Sequence, residues 1–289
     1  MAPPVILAGH PCHDTLHLAN GTSTKALGGS VSFITSVLSA LDIQCEVVSK
    51  VGSDFQYFSE INYTPQVIEG RPTTQYISDF THGERVGRVG AVCEPIYLAD
   101  LPKGSGSSTR PNPYEIALAV GIVGEILPET LLGLAERSKS LLCDIQGLIR
   151  QIDPVGRVTC KPLRETPFYE HLERITYLKA SREEAQFLDI QEVRRRTCLL
   201  VTQGDQGCTV YLKNRKFRIP AFTAVEVDPT GAGDCFLAGF AAGLLRGLAL
   251  DEAVKLGNYY GALAVAQVGV PAPAVLRRAI PSLFYLYSA

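Results

Sequence analysis

Val227-Asp228-Pro229-Thr230-Gly231-Ala232-Gly233-Asp234-Cys235-Phe236 decides how the rest of this 289-residue chain is read. Gly231, Ala232 and Gly233 leave the backbone bare ahead of a small-residue, apolar helix, so successive N–H groups at a helix N-terminus can face an anion without obstruction. A carboxylate follows at once. Phosphoryl transfer asks for charge stabilisation and a placed nucleophile more than for covalent chemistry, and Asp234 stands where a base could orient and deprotonate an acceptor hydroxyl. The alternative is a tight helix entry in which Asp234 only complements the helix dipole. Gly239, Gly243 and Gly247 recur at four-residue spacing behind it, which fits close packing of that helix on a sheet, and they are assigned no chemistry.

Upstream, short apolar runs alternate with helical patterns, which predicts an α/β fold around a largely parallel, buried sheet. Strands are expected at Val5–Gly9, Glu46–Val51, Ile116–Val120, Leu141–Ile145, Ile175–Lys179 and Leu199–Thr202. Helices are expected from Gly29 to Leu41, from Glu129 to Arg137 behind Pro128, and from Ser181 to Leu188. Two stretches break the rhythm. Thr15–Leu18 and Thr22–Ala26 flank Asn20-Gly21, and Tyr76–Thr81 and Arg85–Val89 flank His82-Gly83, which reads as two hairpins of a small antiparallel sheet. Inserted at about residues 14–27 and 71–94 of one domain spanning residues 1–289, such a sheet could act as a lid over a cleft; the plainer reading is an edge ornament. Lys103-Gly-Ser-Gly-Ser-Ser108 has linker composition.

Composition narrows the function. The chain is 46% hydrophobic and 19% charged, ordinary for a globular protein with a sizeable core. Net charge is -2, and the longest basic run is Arg194-Arg195-Arg196, so nucleic acid is not expected as a partner. The apolar stretch Cys235–Leu245 is too short to span a bilayer, so no membrane association is expected. Eight scattered cysteines form no C-x-x-C pair and read as reduced thiols. With no leader pattern at Met1-Ala-Pro-Pro, a cytoplasmic location is expected. His10, Cys12, His13, Asp14 and His17 invite a metal site, but His10 and His13 straddle Pro11 rather than lie on a helix, and a turn-and-lid reading is preferred.

The string Asp228-Pro-Thr-Gly-Ala-Gly-Asp234 resembles the signature of the PfkB (ribokinase-like) carbohydrate kinases, and the likeness extends over nearly the whole chain. It implies a three-layer sandwich with a largely parallel central sheet and a small antiparallel β lid. Gly28-Gly29 resembles the family's N-terminal glycine pair beneath the substrate pocket, and Asp14 its acceptor-hydroxyl ligand; without that context Asp14 also reads as a turn aspartate. Val51-Gly52-Ser53-Asp54 matches the next element, and Thr73, Thr74 and Arg85 fall where the lid strands lie. On the nucleotide side, Thr202, Gly204 and Gly207 resemble the turn that borders ATP, with Asn258 and Gly269 bracketing a final helix near the adenine.

The family's Asn-x-x-Glu element appears as Ser181-Arg-Glu-Glu184, with Glu184 in the place of the glutamate that helps organise Mg²⁺; Ser-x-x-Glu is equally a capping box. Phe33 replaces a substrate-facing asparagine of many sugar kinases. Outside the common signature, Gly9–Asp14, Leu27–Ile34, Ala119–Thr130, Asp144–Arg150 and Leu178–Ser181 are similar to the family's inositol-phosphorylating branch. That resemblance implies ATP and Mg²⁺, a polyol acceptor that is myo-inositol, and a monomer or homodimer. The alternatives are a kinase for another sugar or nucleoside, or a catalytically weak polyol- or nucleotide-binding regulator. A dinucleotide-binding G-x-G-x-x-G would need glycine at Phe236, and no G-x-x-x-x-G-K-[ST] loop occurs.

Overall fold

An eight-stranded, largely parallel sheet carries the chain. The computed structural model describes residues 3–17, 21–79, 86–103 and 113–278. β1 (Val5–Ala8) is wholly buried, with Val5 and Leu7 in one core and Ile6 and Ala8 in another on the opposite face. Burial on both faces is why its sequence is a continuous apolar run instead of an alternation. The chain leaves the sheet for β2 (Cys12–His17) and β3 (Ser23–Gly28), then returns along α1 (Ser30–Ala40) to β4 (Cys45–Val48). It departs again through β5 (Lys50–Gly52), β6 (Gln66–Ile68), β7 (Gln75–Asp79) and β8 (Val86–Ala91). It re-enters with β9 (Tyr114–Ala119), α2 (Pro128–Arg137), β10 (Ser138–Asp144) and the one-turn α3 (Gln146–Ile149). A hairpin of β11 (Arg150–Ile152) and β12 (Val158–Cys160) precedes β13 (Tyr177–Ser181), α4 (Ile190–Arg196) and β14 (Cys198–Thr202). An antiparallel pair, β15 (Cys208–Tyr211) and β16 (Lys216–Ile219), completes the edge before α5 (Ala232–Leu245), α6 (Leu250–Val265) and α7 (Pro273–Arg278).

The strand order is β16-β15-β14-β13-β10-β9-β1-β4, parallel from β14 to β4. Helices α1, α5, α6 and α7 contribute to the core on one face, and α2, α3 and α4 to the core on the other, which makes three layers. A separate four-stranded sheet, β3-β2-β7-β8, stands outside them. Its two hairpins are antiparallel, and they join through a parallel pairing of β2 with β7. Leu18, Asn20, Thr81, His82, Gly83 and Arg85, and positions 104–108 of the Gly/Ser stretch, lie outside the described residues. Among the described residues no helix is long and apolar enough to cross a membrane.

Three expectations need correction. The single strand expected at Glu46–Val51 breaks at Ser49, because the Lys50 N–H turns to the His10 ring Nδ1 at 3.0 Å instead of the main ladder, and β5 then pairs with β6. No helix runs from Ser181 to Leu188. Ser181 ends β13, a single 3₁₀ turn covers Glu184–Phe187, and the helix begins at Ile190, where Asp189 caps the Gln191 and Glu192 N–H groups. Gly239 and Gly243 do serve close packing, but against α6: added Cβ atoms would meet Leu256 and Ala253, so the helix pair, not the sheet, needs them.

Candidate active site

Asp234 lies in the first turn of α5, and the backbone ahead of it is shaped by the residues it touches. Gly231 has φ 77, a conformation L side chains seldom adopt, and a Cβ there would overlap the Phe33 ring. Phe33, buried in α1, therefore forms the floor under the signature turn while also lining the cleft beside it. Asp228 tightens the turn by accepting the Thr230 N–H at 2.9 Å.

Two clefts meet at this helix end. The smaller is bounded by Asp14 on β2, Tyr76 on β7, Ser30 on α1, Gln146 and Arg150, and is closed by Gly231 and Asp234. The larger, about 320 Å³, is bounded by Ala232, Gly233 and Phe236 of the same helix, with Thr202, Gly204, Gly207, Phe222, Asn258 and Val265. That volume is in the range of small-molecule sites. The bare turn is thus shared: Gly231 and Asp234 serve one cleft, Ala232 and Gly233 the other. Asp14 accepts the Cys12 thiol at 2.9 Å and its carboxyl occupies the space that a side chain at Gly28 would fill, while Gly29 starts α1 at φ 92.

Charge converges on the same point. Asp144 and Lys179 are register partners on β10 and β13, and the Lys179 Nζ donates to Asp144 Oδ2 at 2.8 Å, both side chains buried. The ammonium also abuts the bare Cα of Gly233. Burial works against its charge, but Asp144, Glu184 and Asp234 outweigh burial and raise its pKa. The Asp234 carboxyl is pushed up to about 7, first by burial and then by Asp144, against the opposing effects of Lys179, a hydrogen bond with Ser30, and Arg150. A carboxyl poised near neutrality has the basicity a general base needs at physiological pH.

Glu184 accepts the Ser181 N–H at 2.8 Å, and its own N–H donates to Ser181 Oγ at 3.1 Å, so the reciprocal capping bonds form although only a 3₁₀ turn follows. Its other oxygen faces Arg150 Nη2 at 3.5 Å. Burial opposes its ionisation, yet Lys179 and Arg150 hold its pKa below the usual glutamate value. With both oxygens engaged, Glu184 suits a Mg²⁺ ion carried by phosphates and water better than one it binds directly. Among the described residues no group of three His, Cys, Asp or Glu side chains could hold a metal on its own.

The remaining sequence candidates divide. Thr202, Gly204 and Gly207 border the larger cleft. Asn258 does too, but from within α6 rather than at a helix end, and its Nδ2 braces the Ile219 and Pro220 carbonyls at 3.1 and 2.9 Å. Gly269, at φ 74, follows α6 and is not part of that cleft; the last described helix is α7, so Asn258 and Gly269 do not bracket it. The histidines separate as well. His10 is buried between the Lys50 N–H and the Glu94 carbonyl, whereas His13 stacks on Phe55 with centroids 5.7 Å apart. Asp144, Lys179, Gln146 and Ser30 were not singled out from the sequence.

An α/β sandwich whose bare, carboxylate-bearing helix end divides a small polar cleft from a larger one is built as a small-molecule kinase. A family model for pfkB family carbohydrate kinases matches residues 133–275. Inositol 3-kinase of Arabidopsis thaliana is 40% identical over 92% of this chain and 75% of its own length. Inositol 3-kinase of Oryza sativa subsp. japonica is 41% identical over 92% and 69% respectively. The chain belongs to the pfkB family of carbohydrate kinases. Among solved structures, a pyrophosphate-dependent kinase in the ribokinase family, complexed with a pyrophosphate analog and myo-inositol, superposes with a TM-score of 0.79. It covers 96% of this chain and 100% of that one at 18% identity, a likeness of fold.

Proposed function

We propose that this kinase transfers the γ-phosphoryl group of ATP to a hydroxyl of myo-inositol, giving inositol 3-phosphate, with Asp234 as general base and the Gly231–Gly233 amides as the anion cradle. The observation that carries this reading is the division of labour at the N-terminus of α5, where Asp234 faces the smaller cleft and Ala232–Gly233 the larger. Asp14, above the bare Gly28-Gly29 backbone, grips the ring hydroxyls, and the β3-β2-β7-β8 sheet acts as the lid. Thr202, Gly204, Gly207 and Asn258 border the nucleotide. Mg²⁺ would neutralise the phosphates, with Glu184 reaching it through water.

Pyrophosphate is the competing donor, since a fold neighbour uses it. The breadth of the larger cleft and its apolar residues Phe222, Phe236 and Val265 favour a nucleotide, because a diphosphate alone has nothing to place there. Product release should be measured with ATP and with pyrophosphate against inositols, ribose, fructose and adenosine. ATP with myo-inositol should give the highest kcat/KM and a monophosphate product. A better rate with pyrophosphate would overturn the donor assignment, and a better rate with ribose or a nucleoside the acceptor assignment, while either leaves the kinase itself intact.

Asp14→Ala tests the acceptor grip. Hydrogen bonds to a charged group are worth about 1.5–3 kcal/mol each, so the acceptor KM should rise by roughly 10- to 100-fold while nucleotide affinity barely moves. A lower melting temperature with unchanged KM would instead make Asp14 a turn residue only.

A further inference from the structure

We propose that Ser30 and Gln146 form a positioning chain that holds the Asp234 carboxylate ionised and aimed into the smaller cleft. The first residues of two helices and the first turn of a third converge there: Ser30 opens α1, Gln146 opens α3 and Asp234 lies in the first turn of α5. Gln146 Nε2 donates to Ser30 Oγ at 2.8 Å. A hydroxyl has one proton and two lone pairs, so with one lone pair taken by Gln146 its proton is free to turn to the Asp234 carboxylate, which lines the same small cleft. Ser30 is 3% exposed, so water does not compete well for that proton.

Gln146 is itself fixed. Its backbone N–H donates to Asp144 Oδ1 at 3.2 Å, and Asp144 is locked to Lys179. The chain therefore runs from the buried ion pair through an amide and a hydroxyl to the base. Asp144 is also the charge that most disfavours ionisation of Asp234, so the same anchor that opposes the carboxylate supplies, through Gln146 and Ser30, a donor that steadies it. The other charged or titratable groups facing Asp234 are Lys179 on β13, Arg150 on β11, Cys12 and Asp14 across the cleft on β2, Tyr76 on β7, and the neighbouring Cys235 of α5. All of these persist when Ser30 is changed.

The idea rests on Asp234 being the base, so its test needs a readout that does not depend on turnover. In the free protein the Asp234 carboxyl can be titrated by carbon NMR, assigned by its loss in Asp234→Asn. Ser30→Ala should move the midpoint upward by about one pH unit, the size expected for losing a hydrogen bond to a charged group. The acid limb of the kcat–pH profile should move with it, cutting kcat about five-fold at pH 7 and restoring it at higher pH. Ser30→Thr, which keeps the hydroxyl, should titrate as the wild type does. Gln146→Leu should shift the midpoint the same way by less, and it carries the test if Ser30→Ala does not fold. An unchanged midpoint in Ser30→Ala or, should that variant not fold, in Gln146→Leu overturns the positioning chain. A shifted midpoint with an unshifted kcat profile keeps the contact and removes Asp234 as the base.

Discussion

Asp234→Asn is expected to lower turnover by at least roughly 10²-fold, the low end for losing a general base, while nucleotide binding is retained. Asparagine keeps the shape of the side chain and its place at the helix N-terminus, so the anion cradle of Gly231–Gly233 survives. Wild-type kcat should climb with pH to a plateau with its inflection near the value of about 7 to which the Asp234 carboxyl is raised, because only the ionised form can take the acceptor's proton. The variant's residual rate should lack that inflection. Stability carries the complementary sign. A carboxyl whose folded pKa lies above its ordinary 3.8 binds more protons folded than unfolded, so stability is lost as pH rises from that value through about 7. Asp234→Asn removes the loss, and its melting temperature should gain on the wild type between pH 5 and pH 8. Near-normal turnover in the folded variant would take Asp234 out of the mechanism.

Legibility followed sequence distance. The signature turn is local, and each of its features could be read directly: bare backbone, a following helix and a carboxylate in its first turn. The parallel strands were legible because burial on both faces forces continuous apolar runs, and the antiparallel pairing of β2 with β3 because a turn-favouring Asn-Gly separates them in the sequence. β15 and β16 were missed, since Leu212–Arg215 between them holds no glycine to mark a tight turn. Asp144 and Lys179 were hidden for a different reason. Each is a single charge in a buried strand, Asp144 at the end of β10 and Lys179 in the middle of β13, and only the β10–β13 register, joining positions 35 residues apart, shows that they neutralise each other. Ser30, Gln146 and Asp234 come from three helix starts far apart in the chain, so no spacing rule connects them. The helix expected after Ser181 failed because its cap was real but its propagation was not: Glu184 turns back to Ser181 and Arg150, and Asp189 offers a better start.

Lys179→Met carries the second large effect, and a companion variant separates its two roles. The substitution leaves Asp144, 1% exposed, without its counter-ion; breaking such a buried pair costs about 3–5 kcal/mol, which lowers the melting temperature by the order of 10 °C in a chain of this size. It also removes the strongest influence opposing the rise in the Asp234 pKa, so the remaining activity should shift to higher pH. Asp144→Asn in the same chain takes away the stranded charge and should recover most of the stability. Turnover should stay low in the double variant, because the ammonium beside Gly233 is where charge developing on a transferred phosphoryl group would be met. Thermal melts and steady-state rates on the two single variants and the double variant complete the cycle. Full recovery of rate together with stability would mean that Lys179 does no more than neutralise Asp144.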